Sequence, residues 1–572
     1  MLKVTVGQHS DKGRKAVNQD FHGACLPTSV LLSSKGVAIA LADGISSSDV
    51  SQIASEAAVT GFLEDYYCTS EAWSVKKSAE RVLIAINSWL HAQTQQSQYR
   101  FEKDRGYVCT LSAMVIKAST AHLFHVGDTR IYRLRDKSLE QLTNDHRVWL
   151  SSEQSYLGRA LGVNPQLEID YRTEQLETGD LFLFACDGVY EHCKAPLLVD
   201  TLQRHADDLE QAAKAIVALA YEHGSTDNLT ALIVQIDELP QQLAVEAKRR
   251  GADLPFAPIL QPRAVFEGYK IVRELQGNSR SHIYLAEDQQ TQALVVIKAP
   301  SIDLQSDPAH LERFLMEEWV ARRINNAHVL KPYLPTRKRH HQYIVMEFVD
   351  GQTLSQWLVD NPRPTVQAVR NIIEQIAKGL RAFHRQEMLH QDIRPNNIMI
   401  DATGTVKIID FGSTRVAGIQ EAASKVDPEQ ILGTAQYTAP EYFLGEAGTA
   451  RSDIFSLGVI AYQMLSGRLP YGTQVAKSRT QAAQRKLTYV SVLADDREIP
   501  LWMDGALRKA VHPNPNNRYE DVSEFVYDLS HPNRAFLDGG RPPLIERNPL
   551  LFWKGVACAL LLLVLVLLFV KT

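Results

Sequence analysis

The run "MLHQDIRPNNIMIDATGTVKIIDFGST" (Met388–Thr414) decides the fold of the C-terminal half of this chain. It places Asp392 five residues before Asn397, and a strand hairpin then leads into an Asp-Phe-Gly tripeptide that begins at Asp410. Phosphoryl transfer from a magnesium-bound nucleotide needs this combination, because a base accepts the proton of the substrate hydroxyl while two oxygen ligands hold the metal. The tripeptide alone is equally typical of a strand that ends in a turn. With Asp392 eighteen residues earlier, the run predicts a phosphotransfer site.

From Gly268 to about Pro532 the sequence resembles eukaryotic-like Ser/Thr protein kinases, which implies a bilobal fold that binds ATP with Mg²⁺. The resemblance implies that Asp392 is the catalytic base and that Lys298, in "VVIK", contacts the α and β phosphates. The other implied positions are the partner of that lysine (Glu317, with the neighbouring Glu318 as the alternative), the magnesium ligands (Asn397 and Asp410), the adenine-binding hinge (Glu347 and Val349, after Met346), and the later landmarks "GTAQYTAPE" (Gly433 to Glu441), "SDIFSLG" (Ser452 to Gly458) and Arg518.

The loop expected over the ATP phosphates, "ELQGNSRSHIYLAED" (Glu274–Asp288), departs from the kinase pattern. Gln276, Asn278 and Ser281 stand where three glycines are expected, and Gly277 lies one place off. Glycine allows positive φ and close backbone approach to phosphates, so this hairpin predicts weaker ATP affinity with the chemistry retained.

Two further departures flank the base. Gln391 replaces the arginine that in many kinases pairs with a phosphorylated activation loop, which argues against control by that route. Arg394 stands where Ser/Thr kinases carry a lysine, so a positive charge stays near the γ-phosphate and Ser/Thr substrates are favoured over Tyr.

In the N-terminal half, apolar β-type runs end in acidic turns. The clearest are "GVAIALADG" (Gly36 to Gly44), "HLFHVGDTRIYRL" (His122 to Leu134) and "DLFLFACDG" (Asp180 to Gly188), and "GSTDN" precedes the strand-like "LTALIVQI" (Leu229 to Ile236). Carboxylates at the ends of buried strands are costly unless a cation binds there. Each Asp-Gly alone is more often only a turn, but together the hard oxygen ligands favour Mg²⁺ or Mn²⁺ over zinc.

The order of these turns resembles the PPM family of metal-dependent Ser/Thr protein phosphatases over nearly all of residues 1 to 240. The matching motifs are "NQD" (Asn18 to Asp20), "ADG" (Ala42 to Gly44), "GDTR" (Gly127 to Arg130), "LTNDH" (Leu142 to His146), "LGRALG" (Leu157 to Gly162), "CDGVYE" (Cys186 to Glu191) and "STDNLT" (Ser225 to Thr230). The resemblance implies an αββα sandwich that holds two or three Mn²⁺ or Mg²⁺ ions. The implied metal positions are Asp43 as the bridging ligand, the Gly44 carbonyl, Asp187, Asp227, and Asp128 for a third ion.

The phosphatase resemblance is incomplete at three positions. Lys15, with Arg14 beside it, stands where the family places a phosphate-clamping arginine, and Gln19 replaces an acidic residue that usually holds metal-bound water. The family histidine proposed as general acid has no counterpart in "DGISSSD" (Asp43 to Asp49), so protonation of the leaving group is unassigned.

The 572-residue chain is too long for a single core, and a net charge of −5 without a basic block gives no sign of nucleic-acid binding. Sixteen uncharged residues, Gly555 to Val570, predict a short transmembrane helix, and the basic residues before it predict a tail-anchored protein whose body lies in the cytoplasm, at a bacterial inner membrane. The predicted organisation is α+β and multidomain: phosphatase 1–240, linker 241–267, kinase 268–533, juxtamembrane segment 534–554 and transmembrane helix 555–570.

Two functional hypotheses follow. The first is a bifunctional enzyme that phosphorylates protein Ser/Thr residues with ATP and removes phosphate from such residues, including sites on itself. The alternative is an active phosphatase whose degenerate kinase domain is a nucleotide sensor or scaffold.

Overall fold

The computed structural model describes residues 2–149, 155–240, 254–277, 280–302, 307–333, 337, 339–419, 436–495, 499–537, 552–557 and 560. Asn278, the linker residues 241–253, the first three residues of "GTAQYTAPE" and most of the predicted transmembrane segment lie outside the described residues. Among the helices within those ranges, none combines the length and apolarity needed to cross a membrane. The chain forms two compact units, residues 1–360 with 378–434, and residues 361–377 with 435–572. The predicted domain boundaries therefore stay predictions.

Residues 2–240 form strands and helices in alternating groups. The strands are β1 (Lys3–Asp11), β2 (Phe21–Cys25), β3 (Val37–Ala42), β4 (Leu111–Lys117), β5 (Thr120–Val126), β6 (Arg130–Arg135), β7 (Ser138–Gln141), β8 (Arg147–Trp149), β9 (Ser155–Leu157), β10 (Asp170–Gln175), β11 (Leu181–Ala185) and β12 (Leu229–Glu238). The helices are α1 (Ser29–Ser34), α2 (Ser51–Cys68), α3 (Val75–Gln96), α4 (Asp187–Tyr190), α5 (Ala195–Arg204) and α6 (Leu209–Glu222).

Two five-stranded antiparallel sheets pack face to face, in the orders β1-β12-β11-β6-β7 and β10-β5-β4-β3-β2. Strand β3, "VAIALA", illustrates why the sheets pack together, because Val37, Ile39 and Leu41 are large apolar residues that enter the core between them. Successive side chains of a strand point to opposite faces, so the small alanines between them face α2, which packs on β2 and β3. Helix α6 covers the other sheet along β1 and β12. The predicted αββα sandwich is confirmed.

Residues 254–419 supply a second group of elements. The strands are β13 (Val265–Phe266), β14 (Tyr269–Gly277), β15 (Ser281–Asp288), β16 (Leu294–Pro300), β17 (Ile344–Glu347), β18 (Gly351–Thr353), β19 (Met388–Leu389), β20 (Ile398–Asp401), β21 (Val406–Ile408) and β22 (Arg415–Val416). The helices are α7 (Pro308–Arg323), α8 (Leu354–Asp360) and α9 (Val366–His384), of which α9 contributes residues to both compact units. Strands β13 to β17 form one antiparallel sheet in chain order, around a core that includes Tyr269, Tyr284 and Val345.

The second compact unit is helical. Its further helices are α10 (Ala450–Ser466), α11 (Gln481–Gln484), α12 (Leu501–Ala510), α13 (Val522–Ser530) and α14 (Arg534–Leu537). Helix α10 begins with a capping box between Thr449 and Ser452 and ends at Gly467, whose φ of 70° suits a glycine. Thirteen of the 17 residues of α10 are buried, so this helix is the centre of the unit.

Candidate active sites

The first candidate site lies where the strands of the N-terminal sandwich end in acidic residues. Asp43 follows β3, and its backbone NH and carbonyl are hydrogen-bonded to the side chain and NH of Thr110. Asp187 is the first residue of α4, two positions after the last residue of β11. Gly44 has no room for a side chain, because a Cβ there would lie 2.7 Å from the carbonyl oxygen of Gln19. The predicted ligand positions 43, 44 and 187 are thus delivered by strand ends.

Asp128 reaches the same region through a change of sheet. Gly127 separates β5 from β6, which belong to different sheets, and it has a φ of 116°. A Cβ at Gly127 would lie 2.4 Å from the Cβ of Thr110, so only glycine fits this crossing. The crossing places Asp128 close enough to Asp43 and Asp187 for its charge to act on both.

These carboxylates raise one another's pKa values. Burial, and then repulsion from the neighbouring aspartates, holds the pKa of Asp43 well above its ordinary value and raises that of Asp187 to about 7. Carboxyl groups gathered in this way take up protons unless cations replace them. The charge distribution therefore fits a cation-binding centre.

Two cationic side chains occupy the cluster. Lys15 contacts Asp227 and donates to Ser46 Oγ at 2.6 Å. Arg147, at the start of β8, donates from Nε to Asp128 Oδ2 at 2.6 Å and from Nη2 to Asp187 Oδ2 at 3.2 Å. Across the described ranges, no three His, Cys, Asp or Glu side chains close on one point as a ready-made metal site. Lys15 and Arg147 supply the positive charge there instead.

Asp20 belongs to this centre although it was absent from the predicted ligand set. It is 6% exposed, and its Oδ2 accepts a hydrogen bond from Thr230 Oγ1 at 2.6 Å. Its Oδ1 is buried without a hydrogen-bond partner among the described residues, and burial raises its pKa. A buried carboxylate oxygen without a donor is available to a metal or to its bound water, so the donor set fits divalent-cation chemistry. The signal in the sequence was the last residue of "NQD".

Gln19, the residue of that motif that departs from the family pattern, has a structural role. Its side-chain amide donates to the Ser48 carbonyl at 2.8 Å and to Ser51 Oγ at 2.6 Å. The amide thereby pins the turn before α2, which is a structural role that a carboxylate could not fill.

The second candidate site lies in the first compact unit between the β13–β17 sheet and the run that follows α9. Lys298 Nζ is 2.7 Å from both carboxylate oxygens of Glu317 and 3.2 Å from Asp410 Oδ1. Glu318 instead pairs with Arg322 at 2.6 Å and with Arg339. The structure therefore places Glu317, and not Glu318, against the lysine.

The base predicted from the sequence sits beside its expected neighbours. Asn397 Nδ2 donates to the Asp392 carbonyl and to Asp392 Oδ2, both at 2.8 Å, and Arg394 Nε is 3.4 Å from Asp392 Oδ2. Burial raises the pKa of Asp392 to about 6, against the opposing effect of Arg394. A carboxylate with this pKa is ionised at neutral pH and still basic enough to accept a hydroxyl proton.

Two residues of this site have left-handed backbones. Gln391 has a φ of 66° and Asp410 a φ of 68°, a conformation that costs a non-glycine residue roughly 1–2 kcal/mol. Next to Asp410, the ring of Phe411 is buried and lies 5.7 Å from Phe383 and 6.2 Å from His390. This packing holds the tripeptide in place, so the strained aspartate keeps its contact with Lys298.

The predicted hinge and the predicted ATP-covering hairpin belong to one sheet, in which β17 carries Glu347 and β14 and β15 form the hairpin. Glu347 Oε1 accepts from Lys407 Nζ at 2.7 Å and from the backbone NH of Lys331 at 2.8 Å, and the backbone NH of Glu347 donates to the Lys331 carbonyl at 3.0 Å. Recognition of a base by residues 347 and 349 stays a prediction. Strands β14 and β15 form the expected hairpin, with Gly277 paired to His282. Gln276 is exposed and Ser281 is buried. The effect of these residues on ATP affinity stays a prediction.

Models of two protein families match the two halves of the chain. Residues 8–232 match the protein phosphatase 2C family, and residues 269–532 match the protein kinase domain family. Serine/threonine-protein kinase PknB of Mycobacterium leprae is 32% identical over 289 residues, which are 49% of this chain and 45% of that protein. Serine/threonine-protein kinase PknA of Corynebacterium glutamicum is 35% identical over 272 residues, 46% of this chain and 55% of that protein. The chain thus spans about half the length of these curated relatives.

A solved structure is similar to the N-terminal half. It is the catalytic domain of the serine threonine protein phosphatase PstP in complex with two manganese ions, at 23% identity and a TM-score of 0.35, covering 42% of this chain and 100% of that one.

Proposed function

We propose that this chain, which joins a phosphatase 2C domain to a serine/threonine protein kinase domain, is a bifunctional enzyme. It phosphorylates Ser and Thr side chains of proteins with ATP, and it hydrolyses phosphoserine and phosphothreonine. The observation that carries the kinase half is the buried contact of Lys298 with Glu317, together with its part-buried contact with Asp410. A kinase domain kept only as a scaffold would have no need of this costly arrangement of charges.

In the kinase reaction, each residue has a task that its position supports. Lys298, oriented by Glu317, binds the α and β phosphates of ATP. Asp392 accepts the proton of the substrate hydroxyl, and Arg394 beside it holds positive charge near the transferred group. Asn397 and Asp410 would hold Mg²⁺, which when bound neutralises charge on the phosphates.

In the phosphatase reaction, Asp43, the Gly44 carbonyl, Asp187 and Asp227 would hold two Mn²⁺ or Mg²⁺ ions, with Asp128 and Asp20 at the edge of the set. When bound, such ions would supply an acidified water as nucleophile and would neutralise the phosphoryl oxygens. Lys15 lies beside Asp227, and Arg147 lies beside Asp128 and Asp187. These two cationic side chains would bind the phosphoryl group of the substrate.

The experiment that tests both halves uses the full chain with labelled Mg·ATP, a generic basic protein, and a phosphothreonine peptide with Mn²⁺. Asp410→Ala should abolish phosphate transfer and leave peptide hydrolysis unchanged. Asp43→Ala should do the reverse. ATP binding without any transfer by the wild type would contradict the kinase half and favour the nucleotide sensor.

The two activities also act on each other in this proposal, because the phosphatase removes phosphate that the kinase places on the same chain. In Asp43→Ala, autophosphorylation should therefore rise higher and decay more slowly after the ATP is removed. Equal incorporation and equal decay in the variant and the wild type would rule this out.

Membrane attachment is part of the proposal and rests on the sixteen uncharged residues from Gly555 to Val570. The basic residues that precede them support an orientation with both enzymatic domains on the cytoplasmic side of a bacterial inner membrane. In fractionated cells, the full chain should pellet with membranes and resist carbonate extraction, and a chain that ends at Lys554 should not. Recovery of the full chain in the soluble fraction would exclude the anchor.

A further inference from the structure

Helix α7, which carries Glu317, lies against the helices of the phosphatase within the first compact unit. Trp73, in the turn between α2 and α3, packs against Trp319 of α7, with ring centroids 5.9 Å apart at 60°. The two residues are 4% and 0% exposed. Trp319 follows Glu317 by two positions, so the two side chains leave α7 on nearly opposite faces, and the helix has the phosphatase on one face and Lys298 on the other.

Charged contacts extend the junction along α7. Arg323 forms an ion pair with Asp65 of α2 at 2.8 Å, and both side chains are mostly buried. At the other end of α7, Glu312 pairs with Arg81 of α3 and lies 3.4 Å from Lys77. Three separate points therefore define the position of α7 against the phosphatase helices.

The turn that presents Trp73 is itself firmly held. Lys35 is 2% exposed, and its Nζ donates to Thr69 Oγ1 and to the Ser70 carbonyl, both at 2.7 Å. Cys68 Sγ lies 3.7 Å from the Arg322 carbonyl at the end of α7. The turn that carries Trp73 is thus held by hydrogen bonds within the phosphatase and by a contact with the end of α7.

The segment that follows the Asp-Phe-Gly tripeptide contacts helix α3 of the phosphatase, which also pairs with Glu312. Gly418 has a φ of 78°, and a Cβ there would lie 2.1 Å from Ser88 Oγ and 2.9 Å from Ile84 Cγ2 of α3. Residues 84 and 88 are one turn apart on α3. One phosphatase helix therefore contacts both elements on which phosphoryl transfer depends, the helix of Glu317 and the segment that begins at Asp410.

We infer that α2, α3 and the turn between them form a docking face that holds α7 and residues 415–419 in the arrangement required for phosphoryl transfer. Kinase turnover then requires the folded phosphatase domain. This requirement does not depend on whether the phosphatase domain is catalytically active. The inference rests on the proposed kinase function and states how the phosphatase domain regulates that activity. Glu317 reaches Lys298 only while α7 stays in place, so release of α7 separates the ion pair.

The test reverses the charge at one contact and then restores the pair. Asp65→Arg and Arg323→Asp each place like charges together, and the double variant exchanges the two partners. Glu64→Arg is the matched control, because it makes the same change one residue away at an exposed position of α2. Each full-length variant is assayed for transfer from Mg·ATP to a basic protein and for hydrolysis of p-nitrophenyl phosphate with Mn²⁺.

Each single variant should lower kinase kcat/KM by about tenfold, as expected if the docked arrangement falls to roughly one molecule in ten. Hydrolysis of p-nitrophenyl phosphate should stay at the wild-type level, the double variant should regain most of the kinase activity, and Glu64→Arg should match the wild type. Wild-type kinase rates in both single variants would overturn the inference.

Hydrogen exchange of residues 308–323 in the full chain separates this inference from the proposed function. Faster exchange in Asp65→Arg and in Arg323→Asp, reversed in the double variant, would support docking even if no phosphate transfer were detected. Unchanged exchange in both single variants would overturn the docking face whatever the kinase activity. Absence of transfer in the wild type would contradict only the proposed kinase function.

Discussion

The substitution Arg518→Ala should destabilise the second compact unit strongly, because Arg518 is the centre of a buried network. Its Nη1 and Nη2 donate to Glu441 Oε1 and Oε2, each at 2.8 Å. The side chains are 0% and 4% exposed. Arg518 also donates to three backbone carbonyls, those of His512 at 2.7 Å, Arg451 at 3.0 Å and Pro513 at 3.0 Å.

The magnitude follows from what the substitution leaves behind. Glu441 would keep the hydrogen bond from Ser452 Oγ at 2.6 Å but lose its only described ion-pair partner. Removing one member of a buried ion pair costs roughly 3–5 kcal/mol, because the other charge stays buried. At about 2–4 °C per kcal/mol for a unit of this size, the melting temperature should fall by roughly 10 °C.

The pH dependence provides an internal check. Burial raises the pKa of Glu441, but the bonds from Arg518 and Ser452 outweigh it and hold the pKa below its ordinary value. A carboxyl with a lowered folded pKa stabilises the fold above its unfolded pKa, and this stabilisation is lost as the pH falls through the folded value. The difference between wild type and Arg518→Ala should therefore be largest near neutral pH and shrink below about pH 4.

The assay is a urea titration monitored by hydrogen exchange of peptides from α10. These peptides report the stability of this unit separately from the rest of the multidomain chain. Arg451→Ala is the control, because Arg451 pairs with Glu520 at 2.6 Å while the Glu520 side chain is 79% exposed. An exposed pair contributes at most about 1 kcal/mol. Similar urea midpoints for the two variants would refute the assignment of the buried pair as the main stabilising contact.

Three further predictions concern activity. Glu317→Gln should lower kinase turnover at least about tenfold without changing phosphatase rates, since an amide loses the charge that orients Lys298; unchanged transfer rates would contradict the role of this pair. The acid limb of kinase kcat/KM should have its midpoint near pH 6, the pKa of Asp392, so that the rate at pH 5 is roughly a tenth of its plateau; a midpoint near pH 4 would exclude Asp392 as the base. Gln276→Gly with Ser281→Gly should lower the KM for ATP and leave kcat nearly unchanged; an unaltered KM would show that the hairpin does not limit ATP binding.

Much of the fold and of both sites was accessible from the sequence, because the decisive groups occur in short local patterns. The run "VAIALADG" specifies both a buried strand and the aspartate at its end, and "IIDFG" does the same for Asp410. Side-chain alternation and turn chemistry act over a few residues, so such patterns predict strands and their terminal ligands.

Other members of the sites depend on contacts between distant parts of the chain. The choice between Glu317 and Glu318 is decided by which one faces Lys298 from helix α7, and adjacent glutamates look alike in the sequence. Arg147 lies in none of the motifs found in the sequence, yet its side chain donates hydrogen bonds to Asp128 and Asp187. Asp20 lies within a recognisable motif, but only its burial among other carboxylates identified it as part of the cation-binding centre.

The sequence by itself determined the two domain types and nearly all of the groups that carry the chemistry, because these depend on local periodicity and on residue type at strand ends. The tertiary structure alone decided which charges neutralise one another, and that the helix of Glu317 rests on phosphatase helices through Trp73, Asp65 and Glu312. The physical reason is that desolvation and Coulomb energies depend on separations in space, which residues far apart in the chain acquire only when the whole fold brings them together.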